Sequence, residues 1–334
     1  MDPGMTGAGR MSNYVKISTL GSRNFTVDEQ LAPDEIVERV IGHLQEKLSQ
    51  VLPEQPDLIV LPEFSDIPFN LYLSPAKTLA YCRVRGARIL NWFADIARRH
   101  RCHIAYPTIW AQENQPAKNS ITLLDRNGTV IGEYSKNHLT LGEMEEYGMA
   151  CGKEAPIIAC DFGRVACVVC FDLNFDRLRL QYAAAKPDLI LFSSIFHGAF
   201  MQQYWAYSCR AHFAGAVGGG QPSAVVSPVG EILATSTNYF DYVTTTVNLD
   251  CAVVHLDYNM ERLRALKSKH GSKVKIADPG YLGAVLISSE TDECTIRDMM
   301  KEFDIELLDD YLTRALAWQS APEHIKHPED GEPL

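Results

Sequence analysis

The sequence predicts a layered domain of the α/β or α+β kind, a largely buried sheet with helices covering it. Three observations carry that prediction. The first is the stretch Gly163–Phe175, GRVACVVCFDLNF, in which Val165–Val169 is an unbroken apolar run of strand length. A run with no polar alternation fits a strand buried on both faces. The second is the recurrence of that pattern at Asp57–Leu61 (DLIVL) and Asp188–Ser193 (DLILFS). The third is the amphipathic stretches and turn signals between the runs, which make strand–helix units interleaved with hairpins.

Taken in order, Tyr14–Leu20 reads as a first strand. Asp34–Leu52 reads as a helix, with Ile36, Val37, Val40, Ile41, Leu44 and Leu48 along one stripe. Asp57–Leu61 is stopped by Pro62, which cannot donate to a ladder, and Glu63 comes next. A long helix is predicted over Thr78–His100, and a strand over His103–Trp110. Ser120–Asp125 and Thr129–Tyr134 flank Asn127-Gly128, the turn signal of a hairpin, with Lys136 just beyond. After the central strand come a helix over Leu178–Lys186, the strand Asp188–Ser193 and a helix over Met201–Gly215. A loop at Gly218–Gly220 leads to a meander of short strands at Ser223–Ser227, Gly230–Thr235 and Val243–Leu249. Asn259–His270 and Thr295–Trp318 read as helical, and a polar tail runs from His324 to Leu334.

Composition narrows the classes. Of 334 residues, 46% are hydrophobic and 22% charged, ordinary for a soluble globular chain. A formal net charge of −11 provides no field to attract nucleic acid or an anionic membrane. No uninterrupted apolar segment reaches the length of a bilayer span. The opening MDPGMTGAGR lacks the apolar core of a secretory signal and reads as a disordered leader, with Met11 an alternative start. Nine cysteines without a small-domain framework fit free thiols in a reducing compartment, the cytoplasm by default. No linker and no internal repeat interrupts the chain.

Cys170 ends the central strand, and a thiol at the end of a rigid strand is held in place as a nucleophile requires. A lone buried Cys also serves as a small hydrophobe. A redox or zinc pair Cys167-x-x-Cys170 is disfavoured, because residues three apart in a strand point to opposite faces. Glu63 and Lys136 share the sequence position of Cys170, each following the end of an apolar strand. Singly, either reads as a solvated surface charge. If the three strands are neighbours running in one sense, the side chains meet beyond the carboxyl ends. Glu63 can then take the thiol proton, and Lys136 can favour the thiolate and stabilise an oxyanion, joined by the backbone N–H of Phe171. That chemistry requires no metal and no cofactor.

The ordered set Leu61-Pro62-Glu63-Phe64, Tyr134-Ser135-Lys136-Asn137-His138-Leu139 and Cys170-Phe171-Asp172-Leu173-Asn174-Phe175 resembles the nitrilase superfamily of carbon–nitrogen hydrolases. The similarity runs from about Tyr14 to about Asp250. Gly163-Arg164, Trp205, Arg210-Ala211 and Ser227-Pro228-Val229-Gly230-Glu231 extend it. The resemblance implies a four-layer α-β-β-α sandwich that associates through helices into a homodimer or higher homo-oligomer. It implies Glu63 as base, Lys136 as oxyanion stabiliser and Cys170 as nucleophile. It also implies a second glutamate; measured back from Gly152 its position matches Glu145, with Glu143 and Glu146 beside it. On this basis the chain divides into a leader (1–12), a carbon–nitrogen hydrolase domain (13–290) and a C-terminal helical extension with a polar tail (291–334).

The departures bear on substrate. Nitrilases of the family usually carry Trp after the nucleophile, whereas Phe171 stands here, which favours an amidase or N-carbamoyl-amide hydrolase acting on a linear amide. Asn174-Phe175-Asp176-Arg177, His212-Phe213 and Ser193–Gly198 also differ from common family patterns. Phe171, Phe196, His197 and Phe69, the last in the Phe64–Ser74 loop, are the candidate substrate-binding residues. The predicted partner is a small molecule, cleaved through a thioester at Cys170. A nitrile hydrolase, or an idle binding member of the same fold, is the alternative.

Overall fold

The computed structural model describes residues 12–21 and 25–325. Most of the expected leader and residues 326–334 of the polar tail lie outside them. Ser12, the one leader residue described, donates to the carbonyl of Thr291 and to Asp292.

The chain forms two compact units, Tyr14–Leu249 and the stretch from Asp250 onward together with Ser12 and Asn13. In the first, the strands and helices in chain order are β1 (Tyr14–Leu20), α1 (Pro33–Ser49), β2 (Leu58–Val60), α2 (Phe69–Tyr72), α3 (Pro75–Arg85), α4 (Arg88–His100), β3 (His103–Trp110), β4 (Lys118–Leu124), β5 (Val130–Ser135) and α5 (Leu141–Glu145). There follow β6 (Ile158–Cys160), β7 (Gly163–Val169), α6 (Asp176–Ala185), β8 (Leu189–Ser194), α7 (Phe200–Cys209), β9 (His212–Val217), β10 (Ala224–Val226), β11 (Ile232–Thr235) and β12 (Tyr242–Asn248).

Two six-stranded sheets result, in the orders β12-β1-β2-β3-β4-β5 and β11-β10-β9-β8-β7-β6. In the first, β1, β2 and β3 run parallel; in the second, β7, β8 and β9 do. One apolar cluster lies between the sheets, joining Ile17, Val60 and Ile121 of the first to Val165, Cys167 and Leu191 of the second, and continuing to Leu178 and Trp205 of α6 and α7. Another joins the outer face of the first sheet, through Ile59, Ile104 and Tyr106, to α1, α3 and α4. The layering is α-β-β-α, as the sequence predicts.

The local reasons are those of the sequence. In α1, Pro33 opens the first turn, Asp34 and Glu35 meet the positive end of the helix dipole, and Lys47 meets the negative end. Its buried residues, Ile36, Val37, Val40, Leu44 and Leu48, are the predicted stripe. The helix expected over Thr78–His100 is two helices. The break falls at Gly86 (φ 50, ψ −129), a conformation open almost only to glycine. The helix expected over Met201–Gly215 ends at Cys209. Arg210 takes a left-handed conformation, and the remainder becomes β9, buried along its whole length.

The second unit holds β13 (Cys251–His255), α8 (Met260–His270), β14 (Val274–Ala277), β15 (Ala284–Ser289), α9 (Ile296–Glu302) and α10 (Leu308–Gln319). Its three strands form an antiparallel sheet in the order β13-β15-β14. Val254, Leu266, Ile287, Ile296 and Met299 make its core, so apolar contacts run across residue 290, where the sequence reading divides the chain. Among the described residues, no helix is long and apolar enough to cross a membrane.

Candidate active site

The segments that follow three strands converge in the first unit. Glu63 follows β2, Lys136 follows β5, and Cys170 follows β7. Their strands are not neighbours, as the sequence reading supposed. Two strands separate β2 from β5, and β7 belongs to the other sheet. What brings the side chains together is the face-to-face stacking of the sheets. Ser193, near the end of β8, donates across the gap to the carbonyl of Leu61 (2.8 Å), just before Glu63.

At the centre sits Lys136, 1% exposed, between two carboxylates. Its Nζ lies 3.0 Å from Glu63 Oε1 and 2.9 Å from both oxygens of Glu143. Asn119, buried on β4, donates from Nδ2 to Glu63 Oε1 (2.7 Å) and Glu143 Oε1 (2.9 Å). The backbone of Lys136 is pinned by bonds to Asn119 and Gly152. A Cβ on Gly152 would stand 2.1 Å from the carbonyl oxygen of Ser135, so only glycine lets the chain pass there.

Glu143 owes its aim to a helix cap. The Thr140 hydroxyl accepts from the backbone N–H of Glu143, and Glu143 Oε2 accepts from the backbone N–H of Thr140 (2.8 Å). This reciprocal capping box turns the carboxylate back to the start of α5, where Lys136 waits. Glu145 stands two residues on, about 200° round the helix at about 100° per residue, and is exposed. The glutamate on Lys136 is therefore Glu143, and the assignment to Glu145 is corrected.

Cys170 is 8% exposed and opens a short 3-10 turn, Cys170–Asn174, with φ +45. Phe64, after Glu63, has φ +58. Left-handed non-glycine residues are costly and gather where surroundings over-determine the backbone. Asp172, fully buried, holds the turn. Its Oδ2 accepts from Tyr134 Oη (2.6 Å) and the N–H of Val169, and its Oδ1 accepts from the N–H of His138 (2.8 Å). One side chain thus ties the Cys170 turn to the Lys136 segment.

Electrostatics separates the two carboxylates. Burial raises the Glu63 pKa; Lys136 and Asn119 oppose the rise, Glu143 adds to it, and the net direction is up. Burial would raise Glu143 too, but Lys136 and the Thr140 N–H bring it below the ordinary carboxylate range. Lys136 stays charged despite burial, because Glu63, Cys170 and Glu143 surround it. Burial, then Glu63, pushes the Cys170 thiol up to about 12, although Lys136 and Ser194 favour the thiolate. The site can hold a neutral thiol beside a buried carboxylate of raised basicity, with an ammonium at hand for developing negative charge.

A cavity of about 220 Å³ opens onto Glu63. Phe25, Phe64, Ile67, Phe69, Tyr72 and Ile195 form its wall. Of the four candidate substrate-binding residues, Phe69 lines it. Phe171, Phe196 and His197 stand outside that lining, on the two turns that follow β7 and β8.

The carbon-nitrogen hydrolase family model matches residues 30–258, more than half of the chain. The chain belongs to the carbon-nitrogen hydrolase family. It is similar to the deaminated glutathione amidase of Mus musculus, 27% identical over 168 residues, 46% of this chain and 51% of that protein. It is also similar to the 2-oxoglutaramate amidase of Bacillus subtilis (strain 168), 25% identical over 41% of this chain and 52% of that protein. The chain spans about half the length of these curated relatives. Its fold matches the NitFhit protein of C. elegans, with TM-score 0.61 and 15% identity over 88% of this chain and 98% of that one. It also matches an amidase variant from Nesterenkonia sp. AN1 with TM-score 0.60 and 16% identity, covering 80% and 99%.

Within this carbon-nitrogen hydrolase fold, Glu63, Lys136 and Cys170 stand together as the sequence predicts. Asn119 and Ser194 were missed. Asn119 left no sequence signal, because it stands between Lys118 and Ser120, before the strand that the sequence predicts at Ser120–Asp125. Among the described residues, no group of His, Cys, Asp and Glu could hold a metal ion.

Proposed function

We propose that the chain hydrolyses a carbon–nitrogen bond of a linear amide or N-carbamoyl compound through a thioester at Cys170. The observation that carries this reading is the Lys136 ammonium held between Glu63 and Glu143, with both Glu63 and Lys136 close enough to act electrostatically on the Cys170 thiol. Cys170 Sγ attacks the carbonyl carbon while its proton passes to Glu63. The oxyanion forms against Lys136 and the backbone N–H of Phe171. Protonated Glu63 then gives that proton to the leaving nitrogen, the C–N bond breaks, and ammonia or an amine departs. Water attacks the thioester, again giving its proton to Glu63. The acid leaves as the C–S bond breaks, and the thiol is restored. Glu143, whose charge Lys136 and the helix cap keep in place, positions the lysine. The amidase activities named for the relatives support this reading, as does the cysteine adduct described for the Nesterenkonia enzyme.

The test is ammonia release across primary amides, N-carbamoyl compounds and nitriles, with Cys170→Ala alongside. Release from an amide or carbamoyl compound that vanishes in the variant is the expected outcome. Release from nitriles alone would favour a nitrile hydrolase, and silence from both proteins a binding member of the fold. We further propose a homodimer in the cytoplasm. The exposed Leu180 on α6 with Phe200 and Tyr204 on α7 support the dimer, and light scattering tests it.

A further inference from the structure

The cavity beside Glu63 has a one-sided chemistry. Six of its wall side chains are aliphatic or aromatic. Phe64 and Tyr72 pack at 5.1 Å between ring centroids, and Phe25 lies flat on His43 at 4.3 Å with 10° between the planes. The lining residues that carry ionisable or polar groups are Glu63, His43, Tyr72 and Ser65, and the Ser65 hydroxyl oxygen is itself fully buried. Among the described residues, the lining contains no Lys or Arg. The nearest ammonium, Lys136, is already shared by two carboxylates, and Lys47, one turn along from His43, pairs with Asp241. Burial and Lys47 lower the His43 pKa, which leaves its ring neutral at pH 7.

Resting on the hydrolytic reading above, we propose that this cavity receives the acyl side chain of an uncharged amide, a single aromatic ring or a branched aliphatic chain, and rejects an acyl chain ending in a carboxylate. The size fits, since an apolar cavity of about 150 Å³ already takes up benzene. The electrostatics fit as well. A substrate carboxylate here would be desolvated, would face Glu63, and would find no cationic partner among the described lining residues. A buried charge without a partner is strongly disfavoured. An isopropyl or phenyl group gains from every methylene it buries. One amidase to which the chain is similar is named for 2-oxoglutaramate, whose acyl chain ends in a carboxylate, so this cavity would set the chain's preference apart from that one.

An isosteric pair isolates the charge: 4-methylpentanamide ends in an isopropyl group where succinamate ends in a carboxylate. Calorimetric titration of both into the Cys170→Ala protein measures the cavity without turnover. The inference expects 4-methylpentanamide to bind at least about 10²-fold more tightly. Equal affinities, tighter succinamate, or binding of neither overturns it. In a Phe69→Arg variant, the added guanidinium at the cavity wall should narrow or reverse the preference; an unchanged ratio counts against the assignment of this cavity. Turnover by the unsubstituted protein separates the two claims. Selective binding without ammonia release sinks the hydrolytic reading and keeps the cavity assignment, whereas release of ammonia from succinamate in preference does the opposite.

Discussion

Two buried ionic clusters lie within the first unit, and they are built to opposite ends. In one, Arg85 and Asp66 are each 0% exposed and pair at 2.5 Å. Tyr106 Oη (2.6 Å) and Thr108 Oγ1 donate to the same Asp66 carboxylate, Tyr81 Oη donates to the Asp66 carbonyl, and Arg85 Nη2 donates to the carbonyl of Ile109 (2.7 Å). One cation meets one anion, and neutral groups satisfy the rest. In the other, one ammonium meets two carboxylates and a thiol. Burial raises the pKa of Glu63, and the second carboxylate, Glu143, adds to that rise while the single ammonium opposes it. Burying charge is common to both; imbalance belongs to the second. The balanced cluster locks the Glu63–Ile67 turn in place, and the unbalanced one holds a base ready within that turn.

The two clusters differ most at Glu63. Glu63→Gln removes the base while keeping its shape, and kcat/KM should fall about 10²–10⁴-fold, the usual worth of a positioned general base. A steady-state assay checks this, with an unchanged Tm showing that the fold survives. At the balanced cluster the largest effect should be on stability. Asp66→Ala leaves the Arg85 guanidinium buried without its anion and should cost about 3–5 kcal/mol, read as a lowered unfolding midpoint in denaturant. Unaltered stability would mean that the pair is dispensable. Asn119→Ala is gentler. It removes a hydrogen bond to each carboxylate, worth about 1.5–3 kcal/mol apiece when the partner is charged. Because the Asn119 bond lowers the Glu63 pKa, the acid limb of kcat/KM should move to higher pH in this variant. The sign follows from the role: a base works only when ionised, so activity falls as pH drops through its pKa. In the native chain that limb should already lie above the ordinary Glu value of about 4.3.

Much of this was readable in the sequence, for local reasons. Val165–Val169, Asp57–Leu61 and Asp188–Ser193 declared buried strands by composition alone, and Asn127-Gly128 marked the β4–β5 hairpin. The triad emerged because each member directly follows a strand. Its assembly was misread, since stacking of two sheets is a long-range fact that no strand end records. Glu143 illustrates a signal present but passed over. Thr140-x-x-Glu143 is a capping-box pattern, and it fixes which glutamate turns inward, whereas spacing from Gly152 pointed to Glu145. Arg85 and Asp66 left no trace, because charged residues in a sequence read as surface until both partners are seen together. The second half of Met201–Gly215 has a pattern that suits helix or strand, and burial in the sheet decides for β9.

Burial raises the basicity of Glu63, and Glu143 adds to the rise against the pull of Lys136. Glu143→Gln tests it most directly, read through the rate at which iodoacetamide alkylates Cys170 as a function of pH, with mass spectrometry of the Cys170 peptide as the readout. Neutralising Glu143 removes a repulsive charge from Glu63 and leaves Lys136 more fully to it. The account predicts that the acid limb of Cys170 alkylation moves to lower pH in the variant. A limb that stays where it is, or moves to higher pH, would contradict it.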